Sequence, residues 1–116
     1  MNDRLTTESQ AIAPVLDWAH LARQTMGNAA LQREVLMLFD EHAARVLAEI
    51  KGAAGAAGRR EAAHALVGSA RGIGAFAVAR AASAIEAETH DSEAGIDMLE
   101  AAIAAARRAI AEHLSE

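Results

Sequence analysis

Hydrophobic residues recur along most of the chain at intervals of three and four, the spacing that places them on one face of an α-helix. The predicted helices cover residues 15–26, 29–51, 59–71, 75–89 and 93–114. Gly27-Asn28 separates the first two helices, because glycine commonly ends a helix and asparagine caps the next one. The pattern therefore predicts one short helix followed by four longer ones.

Within each longer helix, apolar positions fall on one side and charged positions on the other. The residues expected to be buried are Leu31, Val35, Leu38, Phe39, Val46, Leu47 and Ile50, then Phe76, Val78, Ala79, Ala82 and Ile85, and finally Ile96, Leu99, Ile103, Ala106 and Ile110. Three segments interrupt the pattern: the glycine-rich stretch 52–58, Gly72-Ile73-Gly74 and His90-Asp91-Ser92. We expect a loop, a turn and a polar break at these places, with the last helix beginning near Ser92 and Glu93.

Four long helices joined by short loops predict an all-α fold, an up-down antiparallel four-helix bundle. The additional short helix at the N-terminal side is expected to close one side of the bundle, with Pro14 at its entry. Residues 1–13 lack a sustained period, so we interpret them as a flexible arm. Residues 14–116 then form the one helical bundle domain that a chain of 116 residues accommodates.

Composition narrows the range of functions. Apolar residues make up 53% of the chain but aromatic residues only 3%, and the formal charge of −5 argues against nucleic acid as a partner. Cysteine is absent, which excludes disulfides and thiolate chemistry. The chain shows neither the apolar core of a signal peptide nor a membrane-length apolar stretch. We expect a soluble cytoplasmic protein without membrane contact and, although the sequence does not decide the oligomeric state, a monomer.

One helical stripe carries candidate chemistry. Arg60, His64, Gly68 and Arg71 follow one another at spacings of four, four and three, while Leu66 points to the opposite side. Neutral imidazole is a competent nucleophile near neutral pH, and the missing side chain at position 68 leaves open space beside the ring. This arrangement favours phosphoryl chemistry on an exposed histidine, with the two arginines balancing the charge of the transferred group.

The other four histidines, His20, His42, His90 and His113, are interpreted as surface or boundary residues. They lie on different predicted segments, and no two histidines have the close spacing of metal ligands on one helix. The sequence therefore predicts no metal site, and no bound cofactor.

The segment from Ala63 to Glu88 reads AHALVGSARGIGAFAVARAASAIEAE. It resembles the signature of histidine-containing phosphotransfer (HPt) domains, roughly H-x-L-K-G-S/A-S/A-x-x-I/L-G-A followed by a helix that closes with L/I-E. The signature covers about a quarter of the chain. The matching residues are His64, Leu66, Gly68, Ser69, Ala70, Ile73, Gly74 and Ala75, with Ile85-Glu86 at the closing pair.

The resemblance implies that His64 accepts a phosphoryl group, through Nε2, from a phosphoaspartate on a response-regulator receiver domain and passes it to another receiver. It further implies a sensor or hybrid histidine kinase as a partner, and Mg²⁺ and catalytic carboxylates supplied by the receiver. The domain would be a carrier without kinase activity of its own. In agreement, the chain contains no G-x-x-x-x-G-K-[ST] phosphate-binding loop.

Val67 departs from the family, which commonly has lysine three residues after the histidine. Arg60 or Arg71 could replace the missing cation, or the phosphohistidine could be less stabilised. We expect Ala63, Val67 and Gly68 to contribute to the surface on which a partner docks, with Val67 enlarging its apolar part.

Two other functions are open on sequence grounds. An HPt-like adaptor would bind a receiver or kinase without phosphoryl turnover, and Val67 is the main support for it. An enzyme using His64 as general base is the weaker alternative, because no carboxylate, serine or cysteine is placed by the sequence to complete a catalytic set.

Overall fold

A computed structural model describes residues 15–53, 55–88 and 93–115. These ranges contain five α-helices: α1 (Trp18–Gln24), α2 (Ala29–Gly52), α3 (Ala56–Ile73), α4 (Phe76–Ala87) and α5 (Glu93–Leu114). The predicted arm at residues 1–13 and the predicted break at residues 90–92 lie outside the described residues. None of the helices in the described ranges combines the length and hydrophobicity needed to cross a bilayer.

The first two helices begin at side-chain caps. Asp17 accepts a hydrogen bond from the backbone N–H of His20 at 3.0 Å, and Asn28 accepts one from the N–H of Leu31 at 2.9 Å. Such caps satisfy N–H groups that have no partner inside the helix. The predicted cap at Asn28 is thus confirmed, whereas α1 is shorter than predicted because Met26 and Gly27 adopt positive φ angles of 54° and 71°.

The α3–α4 turn also fixes the position of α1. Gly74 adopts the left-handed conformation, with φ of 86°, and the N–H of Ala75 bonds to the carbonyl of Ala70 at 2.8 Å. The Gly74 carbonyl in turn accepts a hydrogen bond from the N–H of Asp17 at 2.9 Å, immediately before α1. The predicted helix end is thus present, but the turn lies at Gly74 and Ala75, because α3 continues through Gly72 and Ile73. This turn connects three helices.

The four longer helices pack in a ring, α2 against α3, α3 against α4, α4 against α5 and α5 against α2, while α1 packs on α3. Their inward-facing residues form one hydrophobic core. All five apolar residues predicted to be buried on the last helix, including Leu99 and Ile103, are buried on α5. The all-α fold is confirmed, and the up-down order of the whole bundle stays a prediction.

Two exposed ion pairs join α2 to α5 at the surface of this core. Arg107 bonds to Asp40 at 2.8 Å and Lys51 to Glu100 at 2.9 Å. The hydrogen bond to Asp40, with the charge of that carboxylate, raises the pKa of the Arg107 guanidinium. Because the pairs are exposed, each contributes at most about 1 kcal/mol to stability.

Three local predictions are wrong. The interruption predicted over residues 52–58 is shorter than expected, since one helix continues through Gly52 and the next already begins at Ala56. The abundant alanines of this stretch are strong helix formers and sustain both helix ends. In α2, Leu36 is buried, whereas Leu38, predicted to be buried, is 59% exposed. Spacing alone does not choose among the five consecutive apolar residues 35–39. Phe76 is 36% exposed at the start of α4.

Candidate functional site

His64 lies on the exposed face of α3. Its side chain is 76% exposed, while Leu66, about 200° further around the helix, is completely buried in the core. The orientation predicted from the sequence is confirmed. The imidazole is held on a rigid helix and is open to a partner in solution.

One ring nitrogen of His64 is already engaged. Its Nδ1–H donates a hydrogen bond to Oε2 of Glu86, a half-buried residue of α4. A carboxylate only accepts hydrogen bonds, so a neutral ring in this pair carries its proton on Nδ1. Nε2 then keeps its lone pair and is the nucleophilic atom of the side chain.

Glu86 is a functional candidate that the sequence did not assign. It entered the sequence comparison only as part of the closing Ile85-Glu86 pair, without a role of its own. The structure brings it to His64 because α3 and α4 pack together across the short turn at Gly74. The closing pair of the signature was the one signal that pointed to it.

Gly68 lies one helical turn after His64 and is exposed. A Cβ placed on it would meet no atom within 4 Å, apart from its own helix backbone and chain neighbours. The glycine is therefore not required by packing inside the molecule. It leaves open space beside the imidazole, as the sequence predicts.

The two arginines of the stripe differ in their contacts and in their distance from His64. Arg60 donates from Nη1 to the carbonyl of Glu88 at 3.0 Å, at the C-terminal end of α4. Arg71 is exposed and lies two helical turns from His64, about 10 Å along the axis. Neither donates a hydrogen bond to His64 in the described structure. Their effect on a transferred phosphoryl group stays a prediction.

Comparison with solved structures supports the assignment of the fold. No family model and no curated protein matches the chain. Among solved structures, the histidine phosphotransferase ShpA from Caulobacter crescentus matches with a TM-score of 0.73 and 29% sequence identity. The match covers 88% of this chain and 92% of that one. The chain contains an HPt domain.

In this HPt domain, two of the residues expected on the docking surface are in the core. Ala63 is completely buried and Val67 is only 7% exposed. Positions 63 and 67 turn toward the inside of the bundle when His64 and Gly68 face outward, since neighbouring positions on a helix differ by about 100°. The expectation that Ala63 and Val67 offer docking surface is therefore not met, whereas Gly68 is exposed as expected.

Three other histidines of the HPt domain, all in its described part, make structural contacts. The ring of His20 packs edge-on against Phe76, His42 lies within hydrogen-bond distance of Arg45, and His113 stacks on Trp18. His90 lies outside the described residues. Among the residues the structure describes, no group of three or more histidine and acidic side chains is arranged to hold a metal ion.

Proposed function

We propose that this HPt domain is a phosphorelay intermediate, which takes a phosphoryl group from a receiver-domain phosphoaspartate onto His64 and passes it to another receiver. The observation that carries the proposal is the pairing of His64 Nδ1 with Glu86 on an exposed helix face. This pairing leaves Nε2 open to a partner. The likeness to a histidine phosphotransferase supports the same role.

Transfer of the phosphoryl group to His64 needs no general base. The lone pair of His64 Nε2 attacks the phosphorus in line, an N–P bond forms, and the bond between phosphorus and the aspartate oxygen breaks. The aspartate leaves as a carboxylate. No proton has to leave Nε2, because the ring proton is on Nδ1.

Glu86 also balances charge during transfer. When Nε2 bonds to phosphorus while Nδ1 keeps its proton, the ring becomes cationic. The Glu86 carboxylate then forms an ion pair with it, and such charge-assisted hydrogen bonds are stronger than neutral ones. In the reverse direction, an aspartate of the second receiver attacks phosphorus and the N–P bond breaks, which returns the electron pair to Nε2.

We assign the remaining chemistry to the partners. Mg²⁺ and the carboxylates that bind it belong to the receiver, and a sensor or hybrid histidine kinase supplies the phosphoryl group to the relay. The HPt domain itself needs only to present His64, so we expect no kinase activity and no bound cofactor.

The test is phosphotransfer from the phosphorylated receivers of the genome that encodes this chain. His64→Gln is expected to abolish uptake of acid-labile phosphate and to keep the helical circular dichroism spectrum. His113→Gln is the matched control and should retain uptake, because its ring stacks on Trp18 where α1 meets the end of α5. Uptake that persists in His64→Gln overturns the assignment.

A second candidate is an adaptor of the same fold. Val67 favours it, since this buried residue supplies no cation where the family commonly has lysine. The same assay separates the two functions. A wild-type protein that binds a receiver yet never acquires acid-labile phosphate is an adaptor.

A further inference from the structure

The paired helices α3 and α4 extend from the His64–Glu86 contact to the Gly74 turn. On α4, Phe76, Ala79, Ser83 and Glu86 follow at spacings of three, four and three, so they share one face. Glu86 contacts His64 at one end of this face. At the other end, Phe76, Ala79 and Ser83 line a cleft with Arg71 of α3. The two helices therefore run antiparallel.

The cleft near the Gly74 turn has a volume of about 350 Å³. It is lined by Arg71, Phe76, Ala79, Arg80 and Ser83. Phe76 is partly exposed and Ala79 is buried, and both give the cleft apolar lining. Arg71 and Arg80 are both exposed, and neither bonds to another side chain in the described part of the protein.

The charge of the cleft contrasts with that of the molecule. The chain has a formal charge of −5, yet the cleft lining contains two guanidinium groups and no acidic residue. On the other side of α3, Glu49, Glu61 and His42 line a second groove of about 510 Å³. The face around His64 is thus basic toward the Gly74 turn and acidic toward α2, a polarity that orients a charged partner.

We propose that the Arg71–Phe76–Arg80 cleft anchors the phosphoryl-exchanging receiver, which inserts an apolar side chain against Phe76 and places a carboxylate between the two guanidinium groups. The inference rests on the proposed function, since it names how the partner of His64 is held. Guanidinium groups pair well with carboxylates, and an exposed aromatic beside them supplies apolar contact area.

The cleft lies within reach of a partner of ordinary size that is centred on His64. A typical interface buries about 800 Å² on each partner, which corresponds to a circular patch of about 16 Å radius. Arg71 lies about 10 Å from His64 along the axis of α3. A patch of that size centred on His64 therefore includes Arg71 of the cleft.

The test measures kcat/KM for phosphotransfer from a receiver that exchanges with the wild-type protein. Arg80→Glu is expected to lower this value about fivefold to tenfold at low salt, and less at about 0.5 M salt, because added ions screen exposed charges. Phosphorylation of His64 by the small donor phosphoramidate should not change, since it needs no docking. Adding Arg71→Gln should lower receiver transfer further.

Arg108→Glu is the matched control, a charge reversal on an exposed position of α5 that should leave transfer unchanged. Equal kcat/KM for Arg80→Glu and wild type overturns the docking site. An equal decrease in the rate of phosphorylation by phosphoramidate also overturns it, because the defect would then lie at His64. If the wild-type protein accepts phosphate from no receiver but does from phosphoramidate, the proposed function fails and the docking site with it. Arg80→Gln, which introduces no new charge, repeats the comparison should the reversal reduce helicity.

Discussion

At the scale of single residues, the pairing of His64 with Glu86 adds most to what the sequence establishes. His64, Gly68 and Leu66 could be placed from helical spacing, because they lie on one helix and their directions follow from 100° per residue. Glu86 is 22 residues further along the chain and on another helix. Its contact depends on how α3 and α4 pack, which no local spacing determines.

Removing the Glu86 carboxylate should slow transfer without unfolding the protein. Glu86→Ala is expected to lower the rate of phosphotransfer about fivefold, since a hydrogen bond that positions the ring is worth about 1 kcal/mol. The rate of Glu86→Gln should lie between those of the wild type and Glu86→Ala. Its amide oxygen still accepts the hydrogen bond from Nδ1 but carries no charge. Initial rates of receiver-dependent phosphorylation measure both effects.

The control for Glu86 is Glu34→Ala, which removes an exposed carboxylate on α2. Both alanine variants should change the free energy of unfolding by less than about 1 kcal/mol, because charged groups at the surface contribute little to stability. A Glu86→Ala protein with the wild-type rate would show that the hydrogen bond has no part in transfer.

Replacing Gly68 by a larger residue is expected to raise stability but to lower the rate of transfer. A side chain at this position meets open space, and glycine is less favourable than alanine inside a helix by about 1 kcal/mol. Gly68→Ala and Gly68→Gln should therefore both raise the free energy of unfolding in urea. Gly68→Gln should also lower receiver-dependent transfer by about tenfold or more, because its side chain fills the space that the partner approaches.

Phosphoramidate serves as the internal control for the Gly68 variants. The small donor should still phosphorylate His64 in Gly68→Gln. Undiminished transfer from the receiver in that variant would exclude a close approach beside the ring.

At the scale of helices, the α3–α4 turn organises the site. Gly74 ends α3, brings α4 back along it, and accepts the hydrogen bond that precedes α1. The sequence predicted a turn here from its glycines. It did not predict the contact with Asp17, which depends on a residue 57 positions earlier in the chain. The register that joins Glu86 to His64 follows from this turn.

Gly74 and Gly72 should respond in opposite ways to the same substitution. A Cβ on Gly74 would lie 2.8 Å from the backbone oxygen of Asp17, at a φ of +86° that side chains rarely adopt. Gly74→Ala is therefore expected to reduce the free energy of unfolding by about 2 kcal/mol or more. Gly72→Ala, in the last turn of α3 with nothing within 4 Å, should be neutral or stabilising by up to about 1 kcal/mol.

Urea unfolding followed by circular dichroism compares the two alanine variants directly. Equal stability of Gly74→Ala and Gly72→Ala would mean that neither the left-handed turn nor its contact with Asp17 matters to the fold.

At the scale of the whole molecule, the high alanine content explains why some buried faces and helix ends could not be predicted from the sequence. Several core positions are alanines with no exposed surface, namely Ala43, Ala63, Ala70, Ala82 and Ala106. Such residues let helices approach closely but occur on exposed faces as well, so they carry little information about burial. The large residues of α5 located its buried face, whereas the alanines between residues 52 and 58 concealed two helix ends.

The stacking of Trp18 on His113 has a practical consequence for spectroscopy. The ring centroids are 4.4 Å apart and the planes differ by 21°, and Trp18 is the single tryptophan of the chain. Intrinsic fluorescence therefore reports on the junction of α1 with the end of α5, not on the core. In unfolding experiments, emission follows the release of this junction while circular dichroism follows the loss of helix, so a difference between the two curves would reveal α1 separating from an otherwise folded bundle.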